Sequence, residues 1–381
     1  MQTVVPAEAF APGEFLREEL EARGWTQADL AEILGVTPQH INEIIKGKAS
    51  VTPEMAKALG AAFGVDAQYW MNLESSYQLW RVRVTAAGDN IERRAKLFAK
   101  APVREMVRRH WIEPSNSWDV LERRVLEFLG IKTLDDEPHV WSTARKGTSY
   151  RSVTPAQTAW LFRARQLARA VQAGPFSNAS FNGALLTLKT LLWNPEDVRH
   201  VPRVLAEAGI RFVVVEHLEQ TRIDGACLWL DSKSPVVALS LRYDRIDVFW
   251  HNLGHELDHV RERHGLKKYA PLDVELLRDG VLVNGKKPKE EKDADGFAVE
   301  LLVSQPALDD FIHRVRPLYS TRKIMSFAAL QKVHPGIVVG QLQHRGEIGY
   351  THHRRMLVRV RHIITQSALT DGWGHIPPAG L

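Results

Sequence analysis

Nineteen consecutive residues, Gln27 to Ile45, leave little freedom about local structure. Two helices that cross steeply need a small residue where they touch, and Ala31 supplies it. The tight turn between them needs a residue that tolerates positive φ, and Gly35 does. Thr37-Pro38 then reads as an N-cap followed by proline at the first helical position. Ile41 and Ile44 are spaced to face the first helix, and Leu30, Leu34 and Val36 complete the inner face. The hydrogen-bonding side chains Gln39, His40, Asn42, Glu43 and Lys46 are left outward, on the element that enters the major groove in a helix-turn-helix. Gln27 and Thr37, each at a helix N-terminus, and Lys48 are placed for phosphate contact. An amphipathic hairpin with no DNA role would share the inner face. Both caps together with Ala-x3-Gly favour the DNA reader.

The same punctuation continues on either side. Thr26 and Thr52-Pro53 open helices, and Gly47 and Gly64 close turns. Residues 90–200 read as mostly helical, broken at Pro114, Pro138, Pro155, Gly174-Pro175 and Pro195. The texture then changes. Arg211–Val215, Ala226–Leu230 and Val236–Ser240 are short apolar or β-branched runs, expected as strands of one small sheet. A helix is expected from about Asp247 to His264. A loop rich in Lys, Gly and Pro (Val281–Lys289) leads to another, from about Glu290 to Val303. The expected class is mainly α with a small β-sheet: an all-α helix-turn-helix domain at the N-terminus plus an α+β domain. The boundaries read as 1–88, a helical connecting region 89–200, 201–320, and a helical subdomain 321–381.

Composition narrows the chemistry. With one cysteine, Cys227, no intrachain disulfide can form, and any metal site must use histidines and carboxylates. No run approaches the ~18 apolar residues of a membrane span. The start, Met1 to Pro6, lacks a basic leader and apolar stretch, so a cytoplasmic location is expected. Charge is uneven. Residues 1–80 carry net −6 and residues 81–170 net +8, within a chain of +5. Arg93-Arg94, Arg108-Arg109 and Arg123-Arg124 are either a solvated helical face or a phosphate-facing surface beside the DNA reader.

The stronger chemical signal is His255-Glu256-Leu257-Asp258-His259. On a helix, positions i and i+4 share a face, so two imidazoles converge on one cation. Glu256 stands beside it as general base. His251 and His255 have the same spacing, but Asn252 follows the first and no base is supplied. A third ligand is needed. Glu291 opens a helix 32 residues beyond His259 and could close a His2Glu site. Asp295, one turn on, is suited to accept the other ring N–H of a ligand histidine. Tyr243, His251 and His264 are candidates to stabilise an oxyanion.

Two resemblances join these residues. Residues 12–80 resemble the lambda-repressor-like helix-turn-helix of HigA-type antitoxins and Xre-type regulators. The resemblance is carried by Pro12-Gly13-Glu14-Phe15-Leu16, the hairpin, Ile45-Lys46-Gly47-Lys48 and Ala67-Gln68-Tyr69-Trp70-Met71-Asn72-Leu73. It implies a homodimeric repressor that reads a palindromic operator in double-stranded DNA, often its own, with a cognate toxin as a further partner. Residues from about 200 to 360 resemble the ImmA/IrrE family of zinc metallo-endopeptidases. The matching runs are Pro235–Tyr243, Asp247–Trp250, His255–His259, His264-Gly265, and Glu291, Ala294, Asp295, Phe297 and Ala298. This implies a zincin-like domain with zinc held by His255, His259 and Glu291, and Glu256 as base. Asp258 departs from the pattern by placing a carboxylate where a small residue is usual, and Asp293 stands where Glu is common. Ser326–Leu342 looks like a degraded helix-turn-helix, read as structural or substrate-docking. The expected protein is thus an autoregulatory DNA-binding regulator whose zinc peptidase domain cuts itself or a partner repressor. The alternative is a non-enzymatic antitoxin or repressor whose metal domain is structural or sensory. A third is a peptidase whose N-terminal helices bind protein.

Overall fold

The computed structural model of the protein describes residues 10–83, 87–138, 154–219, 221–266, 272–274, 277–278, 281–282 and 288–372. The opening Met1–Pro6 and residues 283–287 of the expected loop lie outside them. The chain forms two compact units, Met1–Ala95 and Lys96–Leu381.

In the first unit, α1 (Pro12–Arg23), α2 (Gln27–Leu34), α3 (Pro38–Ile45), α4 (Pro53–Phe63) and α5 (Ala67–Arg83) surround one core, and α6 (Ala87–Lys100) starts in this unit and ends in the second. Thr26, Thr37 and Thr52 cap α2, α3 and α4 through their side chains. Gly35 takes the left-handed conformation at φ 67°, which lets Val36 N–H bond back to Ala31 O at 2.9 Å. Leu16, Leu30, Ala31, Ile41, Leu59 and Trp70 are buried together. The hairpin is therefore held by its neighbours and not by local propensity alone.

The second unit continues with α7 (Val103–Arg108), α8 (Trp118–Leu129), α9 (Pro155–Ala170), α10 (Asn178–Thr190) and α11 (Val201–Glu207). The strands β1 (Arg211–Val214), β2 (Ile223–Trp229) and β3 (Pro235–Leu239) follow, then α12 (Ile246–Arg261), β4 (Leu272–Val274), β5 (Leu277–Arg278) and β6 (Val281–Leu282). The chain ends in α13 (Lys289–Leu302), α14 (Gln305–Val315), α15 (Thr321–Gln331), α16 (Pro335–His344), α17 (Arg361–Ile364) and β7 (Leu369–Thr370). One sheet has the order β4-β2-β3-β1-β7, with β1 parallel to β3 and β7, and β2 antiparallel to β3 and β4. Strand residues alternate between two cores. Phe212, Val214, Cys227, Trp229, Val237 and Leu239 face one core with α12. Val213, Val215, Ala226, Leu228, Val236 and Ala238 face the other with α9. A sheet covered on both faces has no polar side, which is why these strands read as continuous apolar runs.

Several expectations change. Val281–Leu282, expected in a loop, is strand β6 paired with β5. The parallel strand β7 carried no sequence signal, because two residues cannot show a period. Part of the arginine block is engaged within the protein, while Arg93, Arg94, Arg104 and Arg123 are exposed. Arg109 is 4% exposed and donates to Glu216 O and His217 O, Arg124 donates to Glu113 O and Pro114 O, and Arg108 pairs with Glu105. In the degraded helix-turn-helix, Lys332 takes the place of Gly35 at φ 55°, and Val333 N–H bonds Ala328 O at 3.0 Å. Its second helix, α16, buries Ile337, Val338, Val339, Gln341 and Leu342. It is a core element and presents no face to a groove.

Candidate functional site

The alternation of helical turns places His255 and His259 on one face of α12, both 1% exposed. Glu291, on the first turn of α13, reaches that face. The two imidazole Nε2 atoms are 3.1 Å apart, and the Glu291 carboxylate lies 3.2 Å from His255 Nε2 and 3.5 Å from His259 Nε2. Asp295 Oδ1 is 3.0 Å from His255 Nδ1. When His255 donates from Nδ1 to Asp295, its Nε2 lone pair faces His259 and Glu291. His259 Nδ1 meets His264 Nδ1 at 2.8 Å, which equally frees His259 Nε2 when His259 donates there.

Three buried electron-pair donors thus converge, an arrangement that costs free energy without a cation among them. The spacing fits a metal. Four ligands at the ~2.0–2.1 Å typical of zinc–nitrogen bonds lie about 3.3–3.4 Å from one another at tetrahedral angles. His255, His259 and Glu291 could hold such an ion, with a fourth position left over. His251, His255 and Asp295 form a second, looser group, His251 Nε2 standing 3.8 Å from Asp295 Oδ1.

Two close approaches build this geometry. At Gly254 a Cβ would sit 3.1 Å from Ala298 Cα, so its absence lets α13 lie against α12 and deliver Glu291 and Asp295. At Gly225 on β2 a Cβ would fall 2.7 Å from Glu256 Oε1. The sheet therefore sets the position of Glu256, which is fully buried. Cys227, two residues along β2, has its thiol pushed well above the usual range by burial and by the neighbouring Glu256 carboxylate. Asp258, the departure noted above, is buried. Burial pushes its carboxyl up, and the Arg261 guanidinium 2.6 Å away opposes that shift. Arg261 in turn lies over the Phe297 ring at 4.5 Å.

The oxyanion candidates separate. His264 stands behind His259, on the ring nitrogen away from the cluster. His251 leans toward Asp295. Tyr243 is 44% exposed with the Arg242 guanidinium over its ring. Sequence reasoning missed the role of His264 and both glycine contacts. The available signal for the first was His264-Gly265, just past Arg263 at φ 55°, where the chain turns back on the helix end.

In the first unit, Gln27, Thr37, Gln39, Lys46 and Lys48 are exposed, and His40, Asn42 and Glu43 are half-buried. Thr37 Oγ1 is engaged as a cap by His40 N–H, and Gln39 Nε2 donates to Glu43 Oε1 at 3.0 Å. The helix-turn-helix family HTH_3 matches residues 16–70. Virulence-associated protein I of Dichelobacter nodosus is 43% identical over 72 residues, covering 19% of this chain and 67% of that protein. The chain belongs to the helix-turn-helix family. Antitoxin HigA-1 of Vibrio cholerae is 36% identical over 72 residues, 19% of this chain and 68% of that antitoxin. Among solved structures, the Pseudomonas aeruginosa antitoxin HigA with its higBA promoter is 37% identical. It covers 22% of this chain and 92% of its own, at a TM-score of 0.21. The helix-turn-helix match lies within the first unit. No helix among the described residues is long and apolar enough to cross a membrane.

Proposed function

We propose that this protein is a DNA-binding transcriptional regulator of the HigA/Xre type whose second unit is an ImmA/IrrE-like zinc metallo-endopeptidase. The regulator half rests on family membership and on the exposed side chains of Gln39, on α3, and Lys46, at its C-terminal cap. The peptidase half rests on one observation, the convergence of His255 Nε2, His259 Nε2 and the Glu291 carboxylate at 3.1–3.5 Å.

His255, His259 and Glu291 would hold a zinc ion, which would supply Lewis acidity for water and a peptide carbonyl. The chain supplies the rest. Asp295 and His264 hold the two rings from behind and fix which nitrogen carries the proton. The Glu256 carboxylate takes the proton that water loses on attacking the peptide carbon, then passes it to the departing nitrogen. One peptide bond and one water become an acid and an amine. The substrate in this reading is the protein itself or a partner repressor, and the DNA partner is a palindromic operator bound by a dimer.

Purified protein is incubated with zinc and the DNA upstream of its gene. A discrete fragment from wild type and none from Glu256→Gln supports the enzyme; equal stability of both removes it. Metal content decides the site: one zinc in wild type and none in His259→Ala. A gel shift with the upstream DNA, weakened by Gln39→Ala or Asn42→Ala, decides the regulator.

The burial of the site favours a second reading. Glu256 is 0% exposed and Glu291 7%, and closed sites are characteristic of structural metals. A non-enzymatic repressor or antitoxin with a structural or sensory zinc retains metal and operator binding in the Glu256→Gln variant and yields no fragment from either form.

A further inference from the structure

A second concentration of positive charge lies toward the C-terminal end of the second unit. Residues 313–362 hold ten Lys and Arg and one acidic residue, Glu347. Arg314, Arg316, Arg345 and Arg361 are paired with Asp310, Glu347, Asp309 and Glu216. The other six, Arg322, Lys323, Lys332, Arg354, Arg355 and Arg359, are exposed.

One contact gathers four of them. The His353 ring nitrogen Nε2 lies 2.8 Å from the Tyr319 carbonyl oxygen. Arg322 and Lys323 follow Tyr319 by three and four residues, and Arg354 and Arg355 follow His353 directly. A chain advances at most ~3.6 Å per residue, so all four lie within a few residues' reach of that contact. Glu347, the carboxylate nearest in this segment, is already taken by Arg316 and by the Tyr319 hydroxyl at 2.6 Å. Arg322 and Lys323 also occupy the first turn of α15, the end of a helix that favours anions. Folding of α15 gives no reason for cations there. A bound polyanion does.

The face excludes a membrane as its best partner. Met325 and Leu330 are exposed, but five positions apart they stand about 140° from each other around the helix, with Arg322 and Ser326 between. An inserting helix needs one continuous apolar face. The same chain meanwhile carries net −6 over residues 1–80 of its helix-turn-helix unit, where Lys46 and Lys48 are the cations that directly follow α3. We propose that Arg322, Lys323, Arg354 and Arg355 form a surface on the second unit that binds the phosphates of duplex DNA, adding sequence-independent attraction to that of the acidic helix-turn-helix unit. This inference rests on the DNA-binding half of the proposed function.

The test is fluorescence anisotropy of full-length protein with a random-sequence duplex and with the upstream DNA, between about 50 and 200 mM salt. The fourfold variant Arg322→Gln, Lys323→Gln, Arg354→Gln, Arg355→Gln is compared with wild type. At a slope of about 0.9 per phosphate contact, its plot of log K against log salt is expected to flatten by about 3–4 on both duplexes. Its preference for the upstream DNA is expected to stay unchanged. A change in slope below 1 overturns the proposal. Loss of binding to phosphatidylserine vesicles with an unchanged DNA slope overturns it in favour of a membrane. If the fourfold variant fails to fold, the two double variants replace it, each expected to give about half the change. If wild type does not prefer the upstream DNA, the operator reading fails, while the slopes on random duplex still decide this surface.

Discussion

Glu256 owes its position to a residue without a side chain. A methyl group at Gly225 meets Oε1 at 2.7 Å, inside any real contact, and the buried carboxylate has no solvent to retreat into. Gly225→Ala is therefore expected to cost about 1–3 kcal/mol, the usual range for overpacking, and to displace the base. Urea melts together with the fragment assay measure both effects. The Asp295 contact to His255 makes a different prediction. Asp295→Ala leaves all three donors in place but frees the ring that Asp295 orients. Zinc affinity, measured by competition with a chelator, is expected to fall about 10–100-fold, while Glu291→Ala abolishes the site. At this scale the donors were legible from HExxH and the later Glu291 because helical geometry alone pairs i with i+4. His264, Gly225 and Gly254 were not. Each acts across a turn or between elements, and nothing local to it records its partner.

The helix starts of the first unit were readable because each cap is a contact between near neighbours: Thr26 with Asp29, Thr37 with His40, Thr52 with Met55. The strands were readable from apolar runs, and their order was not, since β7 pairs with β1 across more than 150 residues. One cap predicts a pH effect. His334 opens α16, its ring Nδ1 accepting from Gly336 N–H at 3.1 Å, and burial pushes its pKa below the ordinary value. The unfolded chain takes up a proton near pH 6.5 while the folded chain resists it. Stability is thus unaffected well above that pH and declines as pH falls below it. His334→Asn keeps an accepting cap and removes the titration. Its melting temperature is expected to hold between about pH 6.5 and 5, where that of wild type drops. Equal slopes for the two proteins count against this account of the cap.

At the scale of the molecule, two compact units mean that a ligand of one need not stabilise the other. Zinc stabilises whatever binds it in the folded state alone, by about 2.7 kcal/mol at a hundredfold excess over Kd. A chelator is expected to lower the melting transition of the second unit and leave that of the helix-turn-helix unit in place, as read by calorimetry. A downward shift of both by the same amount contradicts independent units. The mainly helical class with a small sheet was legible from helix caps and short apolar runs, while the separate β5–β6 ladder was not. The covering of the small sheet on both faces was visible only as strands that never alternate.

Glu291 joins the two histidines from 32 positions further along the chain. An ion at that meeting point is a clasp that closes a long loop, and its removal unfastens the distal end first. Amide exchange in the opening turn of α13 is then expected to quicken on chelation more than exchange in α12, whose own hydrogen bonds need no clasp. The length of α13 that stays helical would then report whether the ion is in place.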